Sequence, residues 1–248
     1  MKLKGRVLWL TEEARHLRAQ LDGDDLAAEL ATNDLPLKFA VNTDAMISGA
    51  ACTLGYTPEV LGPWFLNDFL EVVRPGSIRD GGFQVVVGGD AYGTGSSREA
   101  AVVAHQGAGI ELVVARSLQR IFQENLVYCG LPFTTDLSVV QRLLEGAEID
   151  VEALSEELPP VFRAVAQHGG LLRFGTALLD GRLAPPYATD TPEHPLTCVE
   201  RIIADAVWTG PDSPSGVASV RPGQQVLCAT GFRGMHEYTA GMVMALYA

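Results

Sequence analysis

Two short apolar stretches, each followed by a helix-forming segment, constrain the fold of this 248-residue chain more than any other feature. The stretches are FQVVVGG (residues 83–89) and IELVVA (residues 110–115), and both are rich in β-branched side chains. The segments after them, residues 96–107 and 117–130, have the composition and spacing of helices. A strand, a helix and a second strand in this order form a parallel pair. The sequence therefore predicts an α/β fold built on a parallel sheet.

The flanking segments extend this prediction in both directions. GRVLWL (residues 5–10) is predicted to be a further strand, and the polar residues 11–31 a surface excursion. Later in the chain, prolines cluster and the composition changes. We predict a large domain over residues 1–183, a proline-rich linker over residues 184–195 and a short α/β extension over residues 196–248. Because about 50 residues bury little apolar surface, this extension is expected to be either the beginning of a further domain or a segment that docks elsewhere.

The composition argues against several classes of function. The formal net charge of −12 disfavours a nucleic-acid groove and binding to an anionic membrane surface. No apolar run approaches the roughly 18 to 20 residues of a membrane span, and the N-terminus turns charged too soon for a signal peptide. We therefore expect a cytoplasmic protein that binds neither nucleic acid nor membrane. The four cysteines are far apart, so neither a disulfide framework nor a metal site made by this chain alone is expected.

The segment GGDAYGTGSSREAAVVAHQG (residues 88–107) places two serines and an arginine where a strand has ended and a helix begins. One interpretation is a well-capped helix, since Ser96 and Glu99 fit the S-x-x-E capping box and Gly107 suits a helix end. The other is an anion site, in which free backbone N–H groups and the helix dipole attract a carboxylate. Arg98 would add a bidentate contact, and the neighbouring glycines would let the ligand approach. A serine hydroxyl there could act as a base or nucleophile, because the same field stabilises its alkoxide.

Other motifs for phosphate binding or hydrolysis fit this segment poorly. A P-loop needs Gly-Lys-Ser/Thr, a dinucleotide fingerprint needs a third glycine in register, and a nucleophile elbow needs G-x-S-x-G. The segment contains none of these patterns. From the residues alone, recognition of a carboxylate is the sharpest functional interpretation, and the capped helix stays open beside it.

Residues 88–136 resemble the core of the swivel domain of the aconitase superfamily, a domain that is also the small subunit of isopropylmalate isomerase. The matching positions are Tyr92-Gly93, Gly95-Ser96-Ser97-Arg98-Glu99, Ala115-Arg116-Ser117, Ile121-Phe122, Asn125 and Gly130-Leu131-Pro132. Upstream, VNTDAMIS (residues 41–48) resembles the family's aspartate loop, with Asp44 in the functional position. The resemblance covers residues 1–180, with residues 11–31 as an insertion, and implies a swivel-type β/β/α domain.

The resemblance implies a hydro-lyase that moves a hydroxyl group between adjacent carbons of a small hydroxy di- or tricarboxylate, such as isopropylmalate. By residue match, Ser96 would be the base that takes a proton from the carbon next to a carboxylate. Arg98 would stabilise the Ser96 alkoxide and hold the carboxylate, and Asp44 would orient an acid or a histidine of a partner. The implied substrate-binding residues are Ser97, Gly95, Thr94, Gly93, Thr43 and His236.

Residues 196–248 carry a second resemblance, to the opening of the family's large subunit. In that subunit a helix, a turn and a strand precede an H-[DE]-x-T segment that touches the substrate. His236, Glu237 and Thr239 occupy those positions here. An ordinary surface histidine is the alternative for His236, and the residue alone does not decide between the two.

Two departures from the family pattern bear on cofactors and specificity. The three cysteines that hold the family's [4Fe-4S] cluster lie deep in the large subunit. We therefore expect no metal on this chain, a [4Fe-4S] cluster on a large-subunit partner, and activity only with that partner. Residues 48–58, SGAACTLGYTP, are small and uncharged where aconitases place an arginine, so the variable arm of the substrate is unassigned. The alternatives are a non-catalytic carboxylate-binding or assembly module with the same fold, and a phosphate-binding α/β protein.

Overall fold

The computed structural model describes residues 2, 4–25 and 36–230 of the chain. The chain divides into two compact units, residues 1–155 and residues 156–248. The first unit contains the strand–helix–strand pattern on which the fold prediction rests, and the second contains the proline-rich segment.

Among the described residues, the first unit is built on a four-stranded parallel sheet in the order β1-β2-β3-β4. The strands are β1 (Arg6–Trp9), β2 (Phe83–Gly88), β3 (Leu112–Ala115) and β4 (Phe133–Thr134). Every residue of β2 and β3 is buried, because apolar clusters cover both faces of the sheet. Burial on both faces is why residues 85–87 of β2 and Leu112–Ala115 of β3 are continuous apolar runs. The predicted α/β fold with a parallel sheet is confirmed.

Helices of the first unit pack on the two faces of this sheet. They are α1 (Ala14–Leu21), α2 (Thr43–Met46), α3 (Gly49–Cys52), α4 (Pro58–Leu61), α5 (Ser77–Asp80), α6 (Glu99–Gly107), α7 (Arg120–Cys129) and α8 (Ser138–Leu144), with 3₁₀ turns at Gly62–Trp64, Phe69–Glu71 and Ala153–Ser155. Alternate strand side chains enter opposite clusters, as the pleat of a strand dictates. One cluster joins Leu8, Val86 and Val113 to residues of α1 to α7. The other joins Val85, Leu112 and Val114 to residues of α8.

The second unit contains α9 (Pro160–Gln167), α10 (Leu171–Leu179) and α11 (Cys198–Ala206) in its described part. The proline-rich segment packs within this unit. The Tyr187 hydroxyl donates to the carbonyl of Trp208 at 2.8 Å, and the Ser219 hydroxyl donates to the carbonyl of Pro192 at 2.7 Å. Residues 184–195 are therefore held by hydrogen bonds to later parts of the chain. The assignment of residues 1–183 and 196–248 to separate domains stays a prediction.

Two predicted segments lie partly or wholly outside the described residues. α1 lies in the predicted surface excursion, whose residues 26–31 lie outside the described part of the chain. Residues 231–248, which include His236, also lie outside it. Within the described residues, no helix is both long enough and apolar enough to cross a bilayer.

Candidate functional site

The loop between β2 and α6 lies at the carboxyl end of the parallel sheet, where ligands bind in open α/β folds. Residues 40–43 run beside this loop and are joined to it by backbone hydrogen bonds of 2.9 Å. The N–H groups of Ala40, Gly93 and Thr43 donate to the carbonyls of Asp90, Val41 and Thr94, respectively. The aspartate loop therefore lies against the Gly-Ser-Ser-Arg segment.

Two glycines give this loop its path. Gly93 and Gly95 have φ angles of +81° and +100°, a region that favours glycine. A Cβ at Gly93 would lie 2.2 Å from Cγ of Phe122, so the loop passes directly over that ring. A Cβ at Gly95 would lie 3.3 Å from Oγ1 of Thr43. Both glycines thus allow close packing of the loop on its neighbours, and their part in substrate binding stays a prediction.

Ser96 is exposed on this loop and contacts a buried threonine. Its hydroxyl lies 3.1 Å from Oγ1 of Thr43, which also donates to the carbonyl of Ser96 at 3.0 Å. The helix that follows begins at Glu99, with Arg98 as its N-cap and no capping hydrogen bond from the Arg98 side chain. The predicted capping box of Ser96 and Glu99 is therefore wrong. Ser96 stands before the N-cap, and its hydroxyl contacts Thr43 instead of the helix backbone.

An ion pair adjoins this serine. The guanidinium of Arg98 pairs with the carboxylate of Asp44, and its Nη1 donates to the carbonyl of Ile47 at 3.1 Å. The Arg98 side chain is 26% exposed, whereas that of Asp44 is 60% exposed. Solvent weakens a pair of this kind, so Asp44 can be displaced at small cost. The site therefore combines an exposed hydroxyl, a partly buried cation and an exposed anion.

Comparison with known proteins identifies the family of this chain. The sequence profile described as the Aconitase C-terminal domain matches residues 77–136, which contain β2 to β4. The isopropylmalate/citramalate isomerase small subunit of Methanocaldococcus jannaschii is 34% identical over 156 residues, covering 55% of this chain and 89% of that protein. The chain belongs to this small-subunit family of the aconitase superfamily.

Two more comparisons describe the extent of the similarity. The 3-isopropylmalate dehydratase small subunit of Pyrobaculum islandicum is 32% identical over 135 residues, covering 54% of this chain and 71% of that protein. The crystal structure of 3-isopropylmalate dehydratase from Methanocaldococcus jannaschii covers 58% of this chain and 92% of its own, with 25% identity and a TM-score of 0.42. The family assignment confirms the resemblance found in the sequence motifs.

The structure gathers most of the residues that the family resemblance predicts for the site. Hydrogen bonds join Thr43 to Ser96, and an ion pair joins Asp44 to Arg98. Thr94 is held by its carbonyl, which accepts from the backbone of Thr43, and Ser97 is exposed next to Ser96. His236 lies outside the described residues. The catalytic and substrate-binding roles of these residues stay predictions.

Sequence reasoning missed a buried polar pair beneath the loop, Tyr92 and His105. The Tyr92 hydroxyl lies 2.8 Å from Nε2 of His105, and Nδ1 of His105 lies 2.7 Å from the carbonyl of Ala101. Burial lowers the pKa of His105 to about 4, so the imidazole is neutral at pH 7. It therefore donates to Ala101 through Nδ1 and accepts from Tyr92 through Nε2. A histidine within an apolar helix belongs to no sequence motif that predicts a hydrogen bond to Tyr92.

The small residues of α3 lie beside the ion pair, which sequence reasoning did not anticipate. A Cβ at Gly49 would lie 3.7 Å from Nη2 of Arg98. Cys52 on the same helix is half-buried, and burial raises the pKa of its thiol, while the charge of Arg98 lowers it and that of Asp44 raises it. The stretch SGAACTLGYTP, recognised in the sequence only as small and uncharged, therefore adjoins the charged part of the site.

Proposed function

We propose that this chain is the swivel subunit of a hydro-lyase acting on a small hydroxy di- or tricarboxylate, such as isopropylmalate. The observation that carries the proposal is the exposed Ser96 hydroxyl, which contacts Thr43 near the ion pair of Asp44 and Arg98. Relatives of this chain are named for isopropylmalate and citramalate isomerisation and for isopropylmalate dehydration. We place the enzyme in the cytoplasm.

Ser96 is the base in this proposal and removes a proton from the carbon next to a substrate carboxylate. A serine hydroxyl ionises reluctantly, so its surroundings must stabilise the alkoxide. The nine-residue helix α6 starts three residues later, and its N-terminal N–H groups and dipole provide positive charge there. The guanidinium of Arg98 adds a full charge. Both are held in place before the reaction, which is how fixed dipoles and charges lower a barrier.

Arg98 also holds the substrate carboxylate. Its planar guanidinium matches a carboxylate with two parallel hydrogen bonds. In the isolated chain Asp44 occupies this position, so the substrate has to take its place. Asp44 would then face the partner, in agreement with its predicted role of orienting an acid or a histidine there.

The family's [4Fe-4S] cluster does not fit the described residues of this chain. Over residues 2, 4–25 and 36–230, no three His, Cys, Asp or Glu side chains lie together as metal ligands. The four cysteines Cys52, Cys129, Cys198 and Cys228 are free thiols. We therefore assign the cluster to a large-subunit partner, where it would supply a Lewis acid. This chain contributes the base and the carboxylate-binding arginine.

Reconstitution with the large subunit tests the proposal. The tagged chain would be purified with its partner from the native host and assayed on isopropylmalate and related hydroxy-carboxylates. Ser96→Ala should lower kcat by about 10²- to 10⁴-fold, because the base is removed. Arg98→Lys should also raise KM, because an ammonium group cannot reproduce the guanidinium fork.

Matched controls separate these effects from damage to the fold. Ser213→Ala and Arg142→Lys change exposed residues outside the site and should leave kcat and KM within about twofold. Ser96→Ala should keep the melting temperature of the wild type, since Ser96 is exposed and does not cap α6. Full activity of Ser96→Ala on a verified substrate would refute its role as the base.

A second candidate is a non-catalytic carboxylate-binding or assembly module. The ion pair favours it, because a guanidinium already bound to Asp44 is less available to a substrate. Purified complexes that bind isopropylmalate without turnover, and that lack the visible absorbance of an iron–sulfur cluster, would support the module over the enzyme.

A further inference from the structure

The hydroxyl of Thr43 lies between two oxygens of Ser96, and it has only one proton to give. Oγ1 of Thr43 is 3.0 Å from the carbonyl oxygen of Ser96 and 3.1 Å from its hydroxyl. Both contacts can be hydrogen bonds at the same time only if Thr43 donates to the carbonyl, which can only accept, and the Ser96 hydroxyl donates to Thr43. In this arrangement the Ser96 proton is directed toward the buried Thr43, and the exposed side of the Ser96 oxygen is left to solvent.

Thr43 is fixed more firmly than a surface side chain could be. The residue is only 1% exposed. Its backbone N–H donates to the carbonyl of Thr94 at 2.9 Å, and Asn42 and Thr94 form a parallel bridge. Gly95 passes so close that an added Cβ would lie 3.3 Å from Oγ1 of Thr43. Burial therefore argues against direct contact between this hydroxyl and a substrate.

We propose that Thr43 is a positioning residue, which acts on the substrate only through Ser96. When the exposed Ser96 hydroxyl has given its proton to solvent water, the alkoxide can no longer donate, and rotation of the Thr43 hydroxyl directs the Thr43 proton to it. A hydrogen bond to an ionised oxygen is about twice as strong as a neutral one, so this rotation favours the alkoxide. Thr43 thus orients the hydroxyl in one state and stabilises the alkoxide in the other. This inference rests on the proposed role of Ser96 as the base.

Two substitutions distinguish the effect of the Thr43 hydroxyl from the effect of the side chain's shape. Thr43→Val keeps the volume and removes the hydroxyl, whereas Thr43→Ser keeps the hydroxyl and removes the methyl group. In the complex, Thr43→Val should lower kcat by about 10²-fold with KM within about twofold, as expected for loss of one donor to an oxyanion. The pH at which kcat is half-maximal should rise, because the alkoxide is less stabilised. Thr43→Ser should restore kcat to within about threefold of the wild type.

A measurement on the isolated chain does not depend on turnover. Hydrogen exchange of the peptide covering residues 93–99 should be about tenfold faster in Thr43→Val than in the wild type, and unchanged in Thr43→Ser, because the hydroxyl anchors the Ser96 carbonyl. If Thr43→Val leaves hydrogen exchange of this peptide unchanged, the Thr43 hydroxyl does not hold the Ser96 carbonyl in place, and the proposal is overturned. If the wild-type complex turns over no hydroxy-carboxylate but exchange still rises in Thr43→Val, the proposed function fails and the contact between Thr43 and Ser96 stands.

When the complex is active, kinetics of Thr43→Val show whether Thr43 acts through Ser96 or contacts the substrate directly. A rise in KM with unchanged kcat in Thr43→Val would identify Thr43 as a substrate contact and overturn the positioning role. Unchanged kcat and KM in the same variant would also overturn it, while the proposed function would remain.

Discussion

The acid sensitivity of the fold should depend on one buried imidazole, that of His105. It is fully buried, accepts a hydrogen bond from Tyr92 and donates one to Ala101, and burial lowers its pKa from 6.5 to about 4. Between these two values the unfolded chain binds more protons than the folded chain. The stabilisation from keeping His105 neutral is therefore fully present above about pH 6.5 and is lost as the pH falls toward 4.

The size of this effect follows from the two pKa values. Their difference corresponds to about 3 kcal/mol of unfolding free energy, at about 1.4 kcal/mol for each tenfold change in proton affinity. Most of this, about 2 kcal/mol, disappears between about pH 7 and pH 4.5. Because a whole domain is stable by about 5–15 kcal/mol, one residue would account for a large part of the loss in acid.

The matched variant is His105→Gln, which keeps an acceptor for the Tyr92 hydroxyl but does not titrate. Urea unfolding of the full chain, followed by circular dichroism, would be measured at both pH values for both proteins. The wild type should lose about 2 kcal/mol more than His105→Gln on acidification. Equal losses would mean that His105 is not held neutral in the folded state, and the account of the Tyr92–His105 pair would be wrong.

Two other substitutions test the loop and the ion pair. Gly93→Ala should destabilise the chain by several kcal/mol in thermal or urea unfolding, because its Cβ would meet Phe122 at 2.2 Å. Gly146→Ala, also at positive φ but with open space around it, should lose only about 1 kcal/mol, and equal losses would remove the steric argument. Asp44→Asn should make the isolated chain bind malonate several-fold more tightly in calorimetry, since Arg98 loses its competing anion. Weaker binding would contradict this.

The sheet could be predicted from the sequence because its strands are buried on both faces. FQVVVGG and IELVVA are mostly apolar stretches with a single polar residue each, and they contain β2 and β3. The start of α6 could not be placed as well. Ser96 and Glu99 have the spacing of a capping box, but the Ser96 hydroxyl contacts Thr43, which is 53 residues away in sequence. The Ser96 hydroxyl makes this tertiary contact in place of the predicted capping bond, and a rule based on residue spacing cannot predict a contact between distant segments.

The candidate site could also be predicted only in part from the sequence. The Gly-Ser-Ser-Arg segment and the aspartate loop were visible as motifs, since each is continuous in sequence. Their pairing through Asp44 and Arg98 depends on residues 40–43 lying beside the loop after β2. The Tyr92–His105 hydrogen bond could not be predicted from the sequence. A buried histidine is recognised only when its hydrogen-bond acceptor and donor are known.

The charge balance around Ser96 bears on the proposal that this chain is active only with a partner. A chain with a formal net charge of −12 repels anionic substrates, and the guanidinium nearest Ser96 in sequence is paired with Asp44. In the proposed function, a partner group that binds Asp44 would release Arg98 at the place where the substrate carboxylate must bind. Subunit association and substrate binding would then be linked through this ion pair. By thermodynamic reciprocity, each would strengthen the other by the same free energy.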